Sequence, residues 1–185
     1  MGDHETRRIV ITGGPGSGKT TLIEALAEAG FATAPEAGRS IIRDQQAIGG
    51  SALPFADRLA FAEAMLSWEM RSHREATGKG IVFFDRGVPD VIGYLRVCGL
   101  DIPAHLQKAA ELFRYEAEIF IAPPWPEIYR GDAERRQDHD EAVRTYEAMI
   151  ATYGGLGYRL IPLPLAPVPE RLRFVLGKAG VLNPG

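Results

Sequence analysis

The sequence predicts an α/β fold, a parallel sheet covered by helices on both faces. Three observations carry the prediction. The run from Arg7 to Thr12 is apolar without alternation through Ile9, Val10 and Ile11, as a strand buried on both faces requires. Further short runs, such as Ile81-Val82-Phe83-Phe84, alternate with longer segments of helical spacing. The first run leads through a glycine-rich turn straight into a helix carrying Leu22, Ile23, Leu26 and Ala27.

Taken in order, that first helix ends near Gly30, a suitable C-cap. Phe31 to Ala34 is a short second strand, broken by Pro35. Ser40 to Ala47 is expected to be helical, and Gly49-Gly50-Ser51 a loop. A long helix is expected from Pro54 to about Ala76, with Phe55, Leu59, Ala62 and Leu66 as its apolar stripe and Met65 and Trp68 widening it toward the core. Gly78-Lys79-Gly80 stops it. Ile81 to Phe84 is the third strand, ending at Asp85-Arg86-Gly87. Helices follow at Val91–Val97 and Ala104–Tyr115, then a fourth strand at Ala117–Ala122 stopped by Pro123-Pro124-Trp125-Pro126. Tyr129 to Asp140 is dense in charge. Ala142–Tyr153 is a helix, Tyr158–Leu163 a fifth strand, and Pro167–Leu176 a final helix.

Composition narrows the class. At 185 residues, 45% of them apolar and 24% charged, the chain is read as one domain, 1–185, with a substantial core. A net charge of -3 argues against broad nucleic-acid binding. Cys98 is the only cysteine, so neither an intramolecular disulfide nor a cysteine zinc site is available. The polar stretch Met1 to Arg8 has no signal-peptide core, and no run of 18 apolar residues occurs, so a cytoplasmic protein without a membrane span is expected.

The turn itself is informative. Gly13-Gly14-Pro15-Gly16-Ser17-Gly18-Lys19-Thr20, followed by Thr21, fits G-x-x-x-x-G-K-[ST], the phosphate-binding P-loop, and lies between a strand and a helix as that mechanism requires. Glycines bring the backbone close to a polyphosphate. Inward N–H groups and the helix N-terminus make an anion nest. Lys19 supplies charge to the β- and γ-phosphates, and Thr20 a hydroxyl for Mg²⁺. A plain glycine-rich hairpin is the alternative.

In a parallel sheet, ligands belong at the carboxyl ends of the strands. Strand two ends at Glu36, with Arg39 one turn on. Strand three ends at Asp85-Arg86. An aspartate after four apolar residues is a Walker B pattern that holds Mg²⁺ directly or through water; its plain alternative is an N-cap. Arg86 is read as a phosphate contact, against a structural ion pair.

On these residues the sequence resembles the P-loop nucleoside- and nucleotide-kinase group. More closely, it resembles a bacterial AAA-domain-type ATP-binding family that also takes in ribosylnicotinamide-kinase-like domains. The resemblance rests on Ile11 to Thr21, Pro35-Glu36-Ala37-Gly38-Arg39, Phe84 to Asp90 and Pro162-Leu163-Pro164. It implies a P-loop NTPase three-layer sandwich with a five-stranded parallel sheet in the order 2-3-1-4-5. It also implies a carboxylate base at Glu36 and a small lid at about 124–140. Arg130 and Arg135 would be the lid arginines, closing over the transferring phosphate. The plain alternative for the lid is a solvated helix with i,i+4 ion pairs. His4, His73, His105 and His139 show no metal-ligand spacing.

The expected activity is phosphotransfer from ATP (or GTP), with Mg²⁺, to a small hydroxyl-bearing acceptor, nucleoside-like or otherwise. Lys19, Glu36, Asp85, Arg86 and Arg135 form the catalytic set, and Glu36, Arg39 and Arg86 the acceptor contacts. A nucleotide-gated binding protein is the rival, favoured by the lack of an identifiable acceptor pocket in the sequence. A plain NTPase is the third reading. The absence of an N-K-x-D tetrad disfavours a Ras-like GTPase.

Overall fold

The computed structural model describes residues 6–78, 80–125 and 133–181, with backbone alone for 133–138. The elements are β1 (Arg7–Gly13), α1 (Lys19–Glu28), β2 (Ala32–Ala34), α2 (Ala37–Ile48), α3 (Arg58–Glu75) and β3 (Ile81–Asp85). They continue through α4 (Val88–Val97), α5 (Ala104–Leu112), β4 (Glu118–Ala122), α6 (Ala133–Gly155), β5 (Arg159–Pro162) and α7 (Val168–Lys178). The five strands form one parallel sheet in the order β2-β3-β1-β4-β5, the expected topology. β1 therefore lies at the centre, where Ile11 pairs with Asp85 of β3 on one side and Phe120 of β4 on the other.

The unalternating apolar strands are explained by two cores, one on each face of the sheet. Val10, Phe84, Ile119 and Ile121 turn toward α3, α4, α5 and α6. Ile9, Ile11, Phe83 and Phe120 turn toward α1 and α7. Every second residue of one strand thus serves a different layer, so all must be apolar. A smaller cluster, Ala37, Ile41 and Phe61, ties α2 to α3 beside the first core.

Most departures from the expected boundaries have their cause at helix starts. α3 begins at Arg58 rather than Pro54, because the Asp57 carboxylate accepts from the Ala60 N–H at 2.9 Å and caps the helix there. Phe55 therefore lies outside the helix and Leu59 in its first turn, 72% and 46% exposed, and the buried stripe is Phe61, Ala62, Leu66 and Glu69. α4 begins at Val88 rather than Val91. Its Asp90 side chain accepts from the Gly87 N–H at 2.9 Å, and Pro89 sits in the first turn, where it loses no hydrogen bond. α2 starts at Ala37, three residues earlier than Ser40. α6 contains the expected Ala142–Tyr153 helix and extends it back to Ala133, through part of the charge-dense segment. Among the described residues no helix is long and apolar enough to cross a membrane.

Candidate functional site

The carboxyl ends of β1, β2 and β3 converge on one crevice. The glycine-rich loop leaves β1 at Gly13, whose φ of +137° and whose approach to the Ala122 carbonyl leave 2.5 Å for a Cβ. Gly14 is equally closed in: a Cβ there would stand 2.5 Å from the Ala142 carbonyl of α6. The loop Gly13–Gly18 thus lies tight between β4 and α6, and only glycine fits at its first two positions. Lys19, Thr20 and Thr21 form the first turn of α1. Ser17 Oγ donates to the Gly14 carbonyl at 2.8 Å, and Thr21 Oγ1 to the Gly18 carbonyl at 3.0 Å.

Lys19 folds back across the loop. Its Nζ donates to the Gly14 carbonyl at 2.6 Å and to Ser17 Oγ at 3.2 Å, and the residue is 6% exposed. Burial draws its pKa down from the ordinary lysine value to about 7, and the Arg86 charge pushes the same way, against Asp85, Glu36 and Asp90.

Asp85 ends β3 beside the centre of β1. It is 4% exposed, and its Oδ1 is buried without a hydrogen-bond partner. Burial raises its carboxyl above the usual aspartate value, with Lys19 and Arg86 opposing. The alternative reading of Asp85 as the cap of the next helix is not what forms: Asp90 takes that role. An orphaned carboxylate oxygen next to the P-loop strand fits a cation ligand. Magnesium at nucleotide phosphates needs only one or two protein ligands, so Asp85 and the Thr20 hydroxyl make a sufficient donor set.

Arg86 is the only described residue other than glycine with a left-handed backbone, φ 76°. Its N–H donates to the Ile11 carbonyl at 3.1 Å. Its guanidinium donates from Nε to Glu36 Oε1 at 3.1 Å, and from Nη1 to the Gly13 carbonyl at 3.0 Å and to Asp90 Oδ1 at 3.3 Å. Burial works against the Arg86 charge, but Asp90, Glu36 and Asp85 outweigh it and hold the pKa above the ordinary arginine value. Glu36 also meets Arg39 at 3.5 Å, an exposed pair. The structural ion pair weighed against a phosphate contact for Arg86 is therefore present, and Glu36 pairs with both Arg86 and Arg39. They coexist with the crevice position and exclude nothing.

Three residues of this region were not singled out from sequence. Asp90, 5% exposed, is a hub: it accepts from Thr12 Oγ1 at 2.5 Å, Tyr153 Oη at 2.6 Å and the Gly87 N–H, besides Arg86. Its sequence signal was only that of a helix cap. Arg171 of α7, 3% exposed, donates to the Ser17 and Gly18 carbonyls at 3.2 Å each, bracing the loop from behind. No local pattern announces it. Glu69 of α3 is 4% exposed. It was legible as one charge inside an apolar stripe.

A cavity of about 530 Å³ opens beside the loop. Pro15, Glu36, Arg39 and Arg86 stand on its wall, as do Phe61, Met65 and Glu69 of α3 and Tyr94 of α4. Arg144 and Thr145 close it from α6. The size is within the range of small-molecule sites, about 300–1,000 Å³. The sequence itself identified no such cavity. Its walls come from four helices distant in sequence, which no local pattern reveals. Met65, expected as core, packs on the core and lines this cavity as well. Of the expected lid, residues 126–132, and with them Arg130, lie outside the described residues; Arg135 lies in the first turns of α6, where the backbone alone is described.

Residues 8–171 match the family described as "AAA domain". No curated protein matches. Among solved structures, a thymidylate kinase from Ehrlichia chaffeensis is similar with a TM-score of 0.65 at 17% identity, over 94% of this chain and 98% of that one. A deoxyadenosine kinase from M. mycoides with bound dATP gives 0.60 at 12% identity, over 94% and 99%. NadR protein in complex with NR gives 0.66 at 15%, over 96% of this chain and 50% of that one. At such identities the likeness is one of fold, that of P-loop nucleoside and nucleotide kinases.

Proposed function

The chain belongs to the AAA-domain family across residues 8–171, and from that premise we propose that it is an ATP- and Mg²⁺-dependent phosphotransferase acting on a small, nucleoside-like hydroxyl acceptor. GTP would fit the same loop. The observation that carries the reading is the cavity: it brings Pro15 of the P-loop, Glu36 and Arg86 onto one wall of a space large enough for an acceptor. The kinases of similar fold named above lend it support.

In this reading the loop amides and Lys19 hold the triphosphate, which replaces the Gly14 carbonyl as partner of the ammonium. Thr20 and Asp85 hold Mg²⁺, which neutralises phosphate charge when bound. The acceptor oxygen attacks the γ-phosphorus; one O–P bond forms, the bond to the β-bridging oxygen breaks, and the nucleoside diphosphate leaves with the electron pair. Glu36 orients the attacking hydroxyl and takes its proton. Arg86, positioned by Asp90 and Glu36, together with Arg39 and a lid arginine (Arg130 or Arg135), balances charge on the phosphoryl oxygens.

The switch reading drew support from the lack of an acceptor pocket in the sequence, and the cavity supports the phosphotransferase reading instead. The deciding experiment incubates the protein with Mg²⁺-ATP and a panel of nucleosides and small hydroxyl metabolites, read by mass spectrometry. A product heavier by one phosphoryl group, formed only with both protein and ATP, is expected. No product from any acceptor, with nucleotide-dependent hydrogen-exchange protection in the first turns of α6, would transfer the conclusion to the switch.

A further inference from the structure

Glu69 is a buried carboxylate on the wall of the cavity. It is 4% exposed, lines the cavity, and among the described residues has no hydrogen-bond or ion-pair partner. The charges that act on it come from several elements: Asp90 of α4, Arg86 between β3 and α4, Asp85 of β3, and Glu36 ahead of α2. The Tyr115 phenol lies within its influence as well. Three of these are carboxylates, and the one cation is already bonded to Glu36, Gly13 and Asp90. Burial and the Asp90 charge both hold the Glu69 carboxyl well above the usual glutamate range. Among the described residues no side chain or backbone group bonds to it, and it lines the space where an acceptor would sit.

We propose that Glu69 reads the acceptor: as a neutral acid it presents an O–H donor beside a C=O acceptor, and so selects a ligand carrying an acceptor and a donor side by side on a flat edge. Carboxamides and the adenine, cytosine and uracil edges have that pattern. Guanine has it as well, at O6 beside N1–H, whereas 3-methyluracil lacks the donor. The walls suit a flat ring: Phe61 and Met65 stand on the same helix as Glu69, and Tyr94 meets the Phe61 ring edge-on at 5.5 Å. Pro15 and Glu36 belong to the same cavity, so the ring and the phosphoryl acceptor share one space. The inference rests on the acceptor cavity of the proposed function and specifies its ligand.

The test compares wild type, Glu69→Gln and Glu69→Leu. Glutamine keeps a donor beside an acceptor in nearly the same shape; leucine keeps the bulk and loses both. Binding of adenosine, cytidine, uridine, a carboxamide-bearing riboside and 3-methyluridine is measured by calorimetry, with Mg²⁺-ATP binding as the control for folding. At least one of the first four is expected to bind wild type and Glu69→Gln alike, 3-methyluridine to bind more weakly, and Glu69→Leu to lose about tenfold or more, with ATP binding intact in all three proteins. Equal binding by Glu69→Leu, a parallel loss in Glu69→Gln, preference for 3-methyluridine, or no binding of any probe to wild type overturns the proposal. If wild type transfers phosphate to an acceptor regardless of residue 69, the inference falls and the phosphotransferase reading stands. If a nucleoside binds through Glu69 without being phosphorylated, the reverse holds.

Discussion

Glu36 Oε1 accepts from Arg86 Nε at 3.1 Å, joining the residue ahead of α2 to the residue after β3 across the mouth of the crevice. Glu36 therefore stands on the cavity wall under positive charge, with Arg39 on its other oxygen at 3.5 Å. Glu36→Gln is expected to keep ATP affinity and to lower phosphotransfer about 10²–10⁴-fold, as loss of a general base does. Background ATP hydrolysis should persist, since water needs no acceptor base. Steady-state assays of both reactions check this; unchanged acceptor turnover and binding would remove Glu36 from the mechanism.

Lys19→Ala is expected to abolish the thermal shift produced by Mg²⁺-ATP, which for wild type at 100 times the dissociation constant corresponds to about 2.7 kcal/mol. A shift equal to that of wild type would contradict the phosphate role.

The lowered Lys19 pKa of about 7 gives a second, independent readout. Between about pH 7 and the ordinary lysine value the unfolded chain holds the Lys19 proton and the folded chain has released it. Raising the pH through this window therefore stabilises the ligand-free protein. A bound polyphosphate restores the charged form, so ATP binding above pH 7 should take up a proton. Calorimetry in buffers of different ionisation enthalpy measures it, and Lys19→Ala should cancel the uptake.

Asp85→Asn is expected to spare much of the nucleotide affinity, held by the loop and Lys19, while removing its dependence on Mg²⁺ and most of the activity. Titration of ATP with and without Mg²⁺ decides it. A Mg²⁺ dependence unaltered in the variant would take Asp85 out of the metal site.

Asp90→Asn turns an acceptor of four donors into a group that places its own N–H₂ among them. Removing one partner of a buried charged pair costs about 3–5 kcal/mol, a fall in Tm on the order of 10 °C for a domain of this size. Because Arg86 loses part of its support, activity should fall further than stability alone explains. Thermal melts and rates measured well below the new Tm separate the two effects.

The strands were readable because their signal is local: Val10 and Ile11 serve opposite cores, and only an unbroken apolar run satisfies both. The P-loop was readable because backbone geometry forces glycine at Gly13 and Gly14. What escaped notice depends on distant pairing. Asp90 looks like a cap until Thr12 and Tyr153 are brought to it. Phe55 looks like the start of an amphipathic stripe until Asp57 begins the helix after it. The cavity is assembled from α2, α3, α4 and α6 and has no signature on any one of them.

The brace formed by Arg171 has a consequence for the timing of synthesis. The P-loop leaves the ribosome well before α7, yet two of its carbonyls are held by a side chain 153 and 154 positions later. A nascent chain stalled before α7 would carry the complete phosphate-binding motif with its rear support missing. Competence to bind nucleotide should thus arrive abruptly as α7 docks, and not gradually as the sheet grows. Stalled chains released just before and just after α7 would show that step as onset of nucleotide-dependent protease resistance.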